Sequence, residues 1–373
     1  MHLTSLNLTN YRNILSAEFV PAEGVTILHG RNGQGKTNIL EAVNAFAQGR
    51  PYRTRHEKDL LYGIAGTANG EAVTPDKIAQ FTRAEAEFVS GDGKTTRETM
   101  VWAADGTKKL TRDDIPARPA DFIGRFRTAL FSPENLQLVK GGPGQRRAFL
   151  DLAISQLDPI YLASLTRYNK ALMQRNALLK SWRSLDAASR QSLQSYTPVM
   201  AKEAAYITDK RESYVRQMSD IAAKIYSDMT DNAELMKAFY RGHRSEDEFS
   251  MLFRDYENRD VDAGMTLIGP QRDDMTVLLD GVPARQMASQ GQQRAIVLSL
   301  KLAEGEISRE ISGEYPVFLL DDVLSEIDAP RREYLMGELA EGGRQVIITT
   351  CESEIKGDKI YEVEKGEIRE REG

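Results

Sequence analysis

The sequence predicts an α/β protein whose sheet contains parallel strands and is interrupted by a helical region. Strand and helix patterns alternate near both ends of the chain, which is typical of a sheet covered by helices. The run 317–320 is continuously apolar, as a strand buried on both faces requires. Between about 145 and 236 the apolar residues instead follow helical spacing.

These patterns place the elements in chain order. The first 30 residues predict strands, and residues 37–48 predict a helix that ends at Gly49. The helical region is expected to break near 195–198, where Pro198 lies. The remaining elements are a hairpin at 84–103, strands at 128–131, 265–268, 276–279, 317–320 and 345–349, and helices at 291–311 and 331–339.

The same alternation sets the domain organisation. Residues 1–145 and 255–373 are predicted to form one discontinuous α/β domain, because strands from both segments complete one sheet. Residues 146–254 are predicted to form an inserted, mainly helical lobe. Their apolar spacing lacks a sustained heptad, which favours a compact lobe over a long coiled coil.

Composition excludes several classes of protein. The 373 residues are 41% hydrophobic and 28% charged, which is ordinary for a globular protein. No apolar run is long enough to span a membrane, and the first residues do not resemble a signal peptide. The single cysteine, Cys351, excludes an internal disulfide and a cysteine-based zinc site. We expect a cytoplasmic protein without a membrane partner.

Charge is distributed unevenly along the chain. The net charge is −6, yet residues 161–190 carry +5, and local patches decide whether a polyanion binds. Two groups of cations are candidates for contact with a DNA backbone, although a solvated surface would show the same pattern. They are Arg53 with Arg55, and the helical set Arg167, Lys170, Arg175 and Lys180.

A phosphate-binding loop is predicted between the third strand and the first helix. The segment matches G-x-x-x-x-G-K-[ST] as Gly30-Arg31-Asn32-Gly33-Gln34-Gly35-Lys36-Thr37. Glycines allow backbone N–H groups to turn toward phosphate oxygens, and the helix N-terminus favours an anion. Lys36 is expected to reach the β- and γ-phosphates of ATP, and the Thr37 hydroxyl to bind Mg²⁺.

Two carboxylates follow the apolar run 317–320. Parallel strands present their carboxyl ends at one edge of a sheet, where a carboxylate can hold the Mg²⁺ of a phosphoryl-transfer site. We assign Asp321 to the metal and Asp322 to orienting or deprotonating the attacking water. An acidic turn at a strand end is the alternative interpretation.

A third element precedes the helix at 291–311. Ser289, Gln290, Gly291 and Gln292 either cap this helix or present a hydroxyl and an amide to a phosphate, and the sequence favours neither role. The order of the elements adds information. A phosphate loop, this segment and a strand ending in carboxylates follow one another as in ABC-type ATPases. There, the serine-glycine element completes the nucleotide site of the opposite subunit.

Several further sequence blocks point to one family within this class of ATPases. Over nearly its whole length the chain resembles the RecF family of DNA repair ATPases, which is related to SMC heads. The resemblance implies an ABC-type P-loop ATPase head with a mixed sheet and an inserted helical lobe. The blocks are Asn10-Tyr11-Arg12-Asn13, Arg146-Arg147-Ala148-Phe149-Leu150-Asp151, Gly269-Pro270-Gln271-Arg272-Asp273-Asp274, Ser289-Gln290-Gly291-Gln292-Gln293-Arg294 and Leu319-Leu320-Asp321-Asp322.

The chain departs from this pattern at three places, of which Ile327, where leucine is usual, is the minor one. Gln271 occupies a position where histidine is more usual. Cys351 and Glu352 follow the strand at 345–349, without the γ-phosphate-sensing histidine of transporter ATPases. By resemblance, the glutamine loop falls near 132–137, and Glu134 is the candidate there.

The resemblance implies a function. ATP would drive two copies together through Ser289 and Gly291, and the dimer would clamp double-stranded DNA near junctions with single strands. Slow, DNA-dependent hydrolysis would release it. The implied partners are RecR and RecO, in loading RecA. A small-molecule P-loop kinase and another ABC-class ATPase, such as a transporter subunit, are the alternatives. The kinase leaves the Ser289 element without a role.

Overall fold

The computed structural model describes residues 1–54, 56–64, 78–181, 187–340, 342–352 and 356–371. None of the helices in these ranges is long and apolar enough to cross a membrane. The strands are β1 His2–Tyr11, β2 Ile14–Phe19, β3 Val25–His29, β4 Phe81–Val89, β5 Thr95–Ala103, β6 Lys108–Arg112, β7 Ile115–Pro116, β8 Thr128–Phe131, β9 Met236–Arg241, β10 Asp274–Leu279, β11 Val282–Pro283, β12 Val317–Asp321, β13 Val346–Thr350, β14 Lys359–Glu364 and β15 Glu367–Glu370.

Twelve α-helices lie in the described residues. The predicted helix at 37–48, the break near 195–198 and the helices at 291–311 and 331–339 are confirmed within a few residues. The helices are α1 Lys36–Gln48, α2 Pro119–Phe122, α3 Gln137–Lys140, α4 Pro143–Leu157, α5 Pro159–Ser181, α6 Ala187–Gln194, α7 Thr197–Met229, α8 Glu246–Asp255, α9 Glu257–Ala263, α10 Ala284–Met287, α11 Gln290–Ser312 and α12 Ala329–Ala340.

The chain divides into two compact units. Unit 1 contains Met1–Asn135 and Glu304–Gly373, and unit 2 contains Leu136–Ala303. The predicted boundaries, 145/146 and 254/255, differ from this division. The second boundary shifts because β10 pairs with β9 along its full length, which ties residues beyond 254 to strands before it.

Unit 1 holds the mixed sheet that carries the nucleotide motifs. Its strand order is β15-β14-β3-β13-β12-β8, and all neighbours are parallel except the β14–β15 hairpin. Every residue of β12 and β13 is buried, as their apolar runs predict. The parallel arrangement therefore places the carboxyl ends of β3, β13 and β12 side by side.

A second sheet of unit 1 is antiparallel, in the order β2-β1-β4-β5-β6-β7. Buried residues alternate with more exposed ones along β4 and β5, so only one face of this hairpin contributes to the core. Leu6 from this sheet, Phe46 from α1 and Leu319 from the mixed sheet share one hydrophobic cluster. This cluster packs α1 against the two sheets of unit 1 and so fixes the position of the loop that precedes α1.

Unit 2 is mainly helical but also contains the three-stranded sheet β11-β10-β9. The strand predicted at 265–268 is wrong, and β9 was not predicted. In a strand, the backbone at 265–268 would form hydrogen bonds to a neighbouring strand. Here its N–H groups donate to side chains instead. The Thr266 N–H donates to Asn176 Oδ1 at 2.8 Å, and the Leu267 N–H donates to Asp260 Oδ1 at 2.9 Å.

Glu98 on β5 makes the stability of unit 1 depend on pH. Its side chain is fully buried, and Arg112 Nε donates to its Oε1 at 3.0 Å. Burial raises the pKa of the Glu98 carboxyl from 4.5 to about 8, although Arg112 opposes the shift. The folded protein therefore retains a proton that the unfolded chain releases between these two values.

We predict that the free energy of unfolding falls as pH rises from about 5 to about 8, with Glu98 contributing at most about 1.4 kcal/mol per pH unit. Chemical denaturation across this range measures the slope. Glu98→Gln removes the titrating group and should flatten it, whereas the exposed Glu18→Gln should leave it unchanged. Equal slopes for wild type and Glu98→Gln would contradict the prediction.

Candidate nucleotide-binding site

The loop from Gly30 to Gly35 connects β3 to α1 and requires glycine at both ends. Gly30 and Gly35 have φ angles of 155° and 117°, which side chains rarely adopt. A Cβ on Gly35 would lie 2.9 Å from Asn13 Oδ1, and one on Gly30 would lie 2.3 Å from the Val363 carbonyl oxygen. The backbone can therefore follow this path only without side chains at these two positions.

Lys36, the first residue of α1, turns its side chain back into the loop. Its Nζ donates to the carbonyl oxygens of Gly30 at 2.5 Å and Arg31 at 3.0 Å, and the residue is buried. In contrast, Arg31, Asn32 and Gly33 are exposed. The loop thus holds one ammonium group inside its curve and leaves its outer backbone accessible to an anion.

Two side chains outside the motif hold the loop in place. Asn13 Nδ2 donates to the Gln34 carbonyl oxygen at 3.0 Å, and Asn13 Oδ1 accepts from Asn38 Nδ2 at 2.8 Å. The Gln34 side chain in turn accepts from the N–H of Lys365 at 2.7 Å, in the β14–β15 turn. The positioning role of Asn13 was not predicted, because Gln34 lies 21 residues away in sequence.

Thr37 and Asp321 meet at the edge of the mixed sheet. Thr37 Oγ1 donates to Asp321 Oδ1 at 2.7 Å, and Thr349 Oγ1 donates to the same oxygen at 2.9 Å. Thr349 reaches it because Asp321 and Thr349 are register partners in β12 and β13. Thr349 was not predicted as a site residue, and its position at the end of the predicted strand 345–349 was the only signal.

The environment of Asp321 fits a magnesium ion. Burial raises the pKa of this carboxyl, while the two threonine hydroxyls and Arg53 act in the opposite direction. Hydroxyl and carboxylate oxygens are ligands that Mg²⁺ prefers, and the ion commonly takes its remaining ligands from water and phosphate. No cluster of three acidic, histidine or cysteine ligands occurs in the described part of the chain.

Asp322 has an unusual backbone conformation. Its φ angle is 53°, in the left-handed region that non-glycine residues enter at a cost of about 1–2 kcal/mol. Two hydrogen bonds fix it there. The Asp322 N–H donates to Thr349 Oγ1 at 2.9 Å, and its carbonyl oxygen accepts from Ser325 Oγ at 2.8 Å. Strain of this kind is frequent at functional sites.

Glu134 and Tyr52 lie near Asp321. Glu134 is exposed, in a short helical turn after β8, and its charge contributes to the raised pKa of Asp321. The Tyr52 hydroxyl is buried without a hydrogen bond among the described residues. Burial, and then the Asp321 carboxylate, raises the pKa of Tyr52. Arg53 Nη1 donates to Asn38 Oδ1 at 3.1 Å.

The Ser289 element caps α11 in unit 2. Ser289 Oγ accepts from the Gln292 N–H at 3.2 Å, and the Ser289 N–H donates to Gln292 Oε1 at 2.6 Å. This reciprocal pair is a capping box. Ser289 and Gln290 are exposed, and Gly291 and Gln292 are half-buried. The capping role is therefore present, and the phosphate-binding role of the four residues remains a prediction.

The candidate DNA-contact residues fall into three groups. Arg53, Lys170 and Lys180 are exposed, and so is Arg167, although two hydrogen bonds join it to Glu203. Arg55 lies outside the described residues. Arg175 corrects the prediction of a shared basic helix face. It is buried, and its Nη1 donates to Asp260 Oδ2 at 2.7 Å and to Thr266 Oγ1 at 2.6 Å.

Solved structures share the fold. A structure described as the recombination mediator protein RecF-ATP in the RecFOR pathway matches with a TM-score of 0.89 and 28% identity, covering 100% of this chain and 98% of the other. An Smc head bound to the C-winged helix domain of ScpA matches with a TM-score of 0.59, over 100% and 98%. At 14% identity it shows the fold alone. The fold and the loop thus define a P-loop ATPase head of the ABC type.

Sequence comparisons identify the family within this class. The RecF/RecN/SMC N terminal domain matches residues 2–369. A protein named DNA replication and repair protein RecF from Clostridium acetobutylicum is 36% identical, over 99% of this chain and 100% of its own length. The same-named protein from Chloroflexus aurantiacus is 33% identical, over 99% of both chains. The chain belongs to the RecF family of DNA replication and repair proteins.

The burial of Arg175 predicts a structural role. Replacing it by methionine leaves Asp260, which is fully buried, without its cation, and such changes cost about 3–5 kcal/mol. We expect chemical denaturation of Arg175→Met to show this loss, and Arg175→Met with Asp260→Leu to recover part of it. The exposed Lys180→Met should change stability little. A stable Arg175→Met variant with weakened DNA binding would restore the original assignment.

Proposed function

We propose that this protein binds ATP with Mg²⁺ at the loop Gly30–Thr37 and hydrolyses it slowly. The contact between Thr37 and Asp321 carries the proposal. It joins a hydroxyl at the start of α1 to a buried carboxylate 284 residues away, as a phosphate-and-metal site requires. The similar RecF structure described with ATP supports the choice of nucleotide.

Thr37 and Asp321 would hold Mg²⁺, which neutralises charge on the phosphates during transfer. Lys36 contributes a second positive charge to these phosphates from inside the loop. Asp322 lies next to the metal ligand in a fixed conformation, so its carboxylate can orient or deprotonate the attacking water. Glu134 assists from the neighbouring β8 turn.

The nucleotide also acts as a dimerisation ligand. Ser289, Gln290, Gly291 and Gln292 of one copy would contact the phosphates bound by the other, which explains why Ser289 and Gln290 are exposed. A ligand shifts a monomer–dimer equilibrium only by the contacts it makes better in the dimer. The helix N-terminus at Gln290 supplies such a contact to an anion.

The dimer would clamp double-stranded DNA near single-strand/double-strand junctions, and slow, DNA-dependent hydrolysis would release it. Arg53, Arg167, Lys170 and Lys180 are the exposed candidates; Arg55 completes the proposed set. Contacts of this kind bind backbone phosphates, so affinity should fall with salt and depend little on sequence. In the cytoplasm, RecR and RecO would act with it in loading RecA.

Two substitutions separate ATP binding from hydrolysis. We expect Lys36→Met to abolish binding of a fluorescent ATP analogue, because the loop loses its ammonium group. Asp322→Asn should bind normally but lower hydrolysis at least about a hundredfold, as removal of a general base does. The exposed Asp255→Asn is the matched control. Loss of ATP binding in Asp322→Asn would show that Asp322 has another role.

Sedimentation with and without Mg-ATP tests dimerisation, in each case with and without a short DNA duplex. The wild type should dimerise only with ATP, and more strongly with DNA. Ser289→Arg should bind ATP but stay monomeric. Ser245→Arg is the control, since Ser245 forms the same capping box on α8; both changes remove a cap worth about 1 kcal/mol. A wild type that binds ATP without dimerising would favour the kinase alternative.

A further inference from the structure

A groove in unit 2 has no role in the proposed function. Its volume is about 430 Å³, and β10, α3 and α10 line it. Thr276 and Leu278 of β10, with Phe239 of β9, are half-buried and form its floor. Met275 and Val277 are buried, and strand alternation directs their side chains to the opposite face of the sheet. The groove therefore lies on the outer face of the three-stranded sheet.

One backbone edge beside this groove is open. The sheet has the order β11-β10-β9, but β11 pairs only with Leu278 and Leu279 of β10. Among the described strands, none pairs with 275–277 on that side. These residues border the groove, so the cavity follows an unpaired strand edge, which is a template for another strand.

The pairing of β9 with β10 shows which backbone N–H and C=O groups of β10 point toward the open edge. The Ala238 N–H donates to Ser219 Oγ at 2.9 Å and therefore points away from β10. Ala238 is the register partner of Val277, and both members of such a pair direct their N–H and C=O outward. The Met275 N–H, two residues earlier, likewise bonds Asp274 Oδ1 at 2.9 Å. Val277 thus presents a donor and an acceptor to the groove.

The charged residues around the groove leave a positive excess. Asp274 is already neutralised, because Arg146 Nε and Nη2 donate to its two carboxylate oxygens at 2.6 and 2.8 Å. Arg241 and Arg285 are exposed, and neither forms an ion pair within the described residues. Arg241 lies 4.9 Å from the centre of the Phe239 ring, at the apolar floor. Two unpaired cations therefore flank an apolar surface.

We propose that this groove binds a short acidic peptide segment of a partner protein, which adds a strand to β10. Its backbone would bond Val277, its apolar side chains would contact Phe239 and Leu278, and its carboxylates would pair with Arg241 and Arg285. Strand addition of this kind takes affinity from main-chain bonds and specificity from side chains. No nucleotide takes part, so the proposal is independent of ATP binding.

The apolar floor of the groove favours a peptide over a nucleic acid as the ligand. A DNA backbone would use the two arginines but would leave the apolar floor and the open strand edge without partners. A peptide of alternating acidic and apolar residues uses all three features, because successive side chains of a strand point to opposite faces. Only the arginines are common to both ligands, which makes the two separable by experiment.

Selection from a displayed library of short random peptides on the full-length protein provides the probe. Acidic peptides with apolar residues should be enriched. One selected peptide is then synthesised and its binding measured by fluorescence anisotropy. Arg241→Glu with Arg285→Glu should weaken binding at least about tenfold, as charge reversal at a paired rim does. Arg254→Glu with Arg259→Glu, exposed positions on α8 and α9, is the matched control and should bind normally.

Methylation of single peptide nitrogens tests the strand geometry. Binding should be lost at alternate positions only, because alternate N–H groups face β10. The proposal is overturned if no acidic peptide is selected, if the Arg241/Arg285 variant binds it as well as wild type, or if methylation has no alternating effect. A short DNA duplex is measured in parallel. Loss of duplex binding in this variant, with no acidic peptide selected, would assign the arginines to DNA instead.

Discussion

The parallel pairing of β3, β13 and β12 is the constraint on which the candidate site depends. Residues 28 and 349 are register partners, as are 321 and 349, so three carboxyl ends lie side by side. The loop after β3 and the aspartates at the end of β12 must therefore meet, although Thr37 and Asp321 are 284 residues apart. Thr349, on the central strand, bonds both Asp321 and the Asp322 backbone and so links the two acidic residues.

The parts of the fold that local patterns encode could be predicted from the sequence. The phosphate loop, α1 and the buried strand ending at Asp321 each combine a short motif with a fixed spacing. The roles of Thr349 and Asn13 could not be predicted, because both depend on register between distant segments. Arg175 shows a related limit. Helical spacing relates Arg175 to Lys180, but burial against Asp260 depends on packing partners far along the chain.

Ser289 can cap α11 and also contact a phosphate. Its oxygen accepts a hydrogen bond from the Gln292 N–H, which satisfies one of the free donors at the start of α11. A serine hydroxyl also carries one proton and a second lone pair, so capping leaves a donor for a phosphate. Capping also fixes the hydroxyl, so little further ordering is needed when an anion binds. The two interpretations of the sequence are therefore compatible.

The aspartates at 321 and 322 are each held at a local cost. Asp321 is buried and carries a raised pKa, and Asp322 occupies left-handed backbone space. A polar turn could end β12 without either cost. Natural sequences depart from local preference chiefly at functional sites, and two adjacent departures that share Thr349 as a hydrogen-bond partner support the roles proposed for these aspartates. Bound Mg²⁺ would compensate the buried charge of Asp321, and the fixed backbone would hold the Asp322 carboxylate beside it.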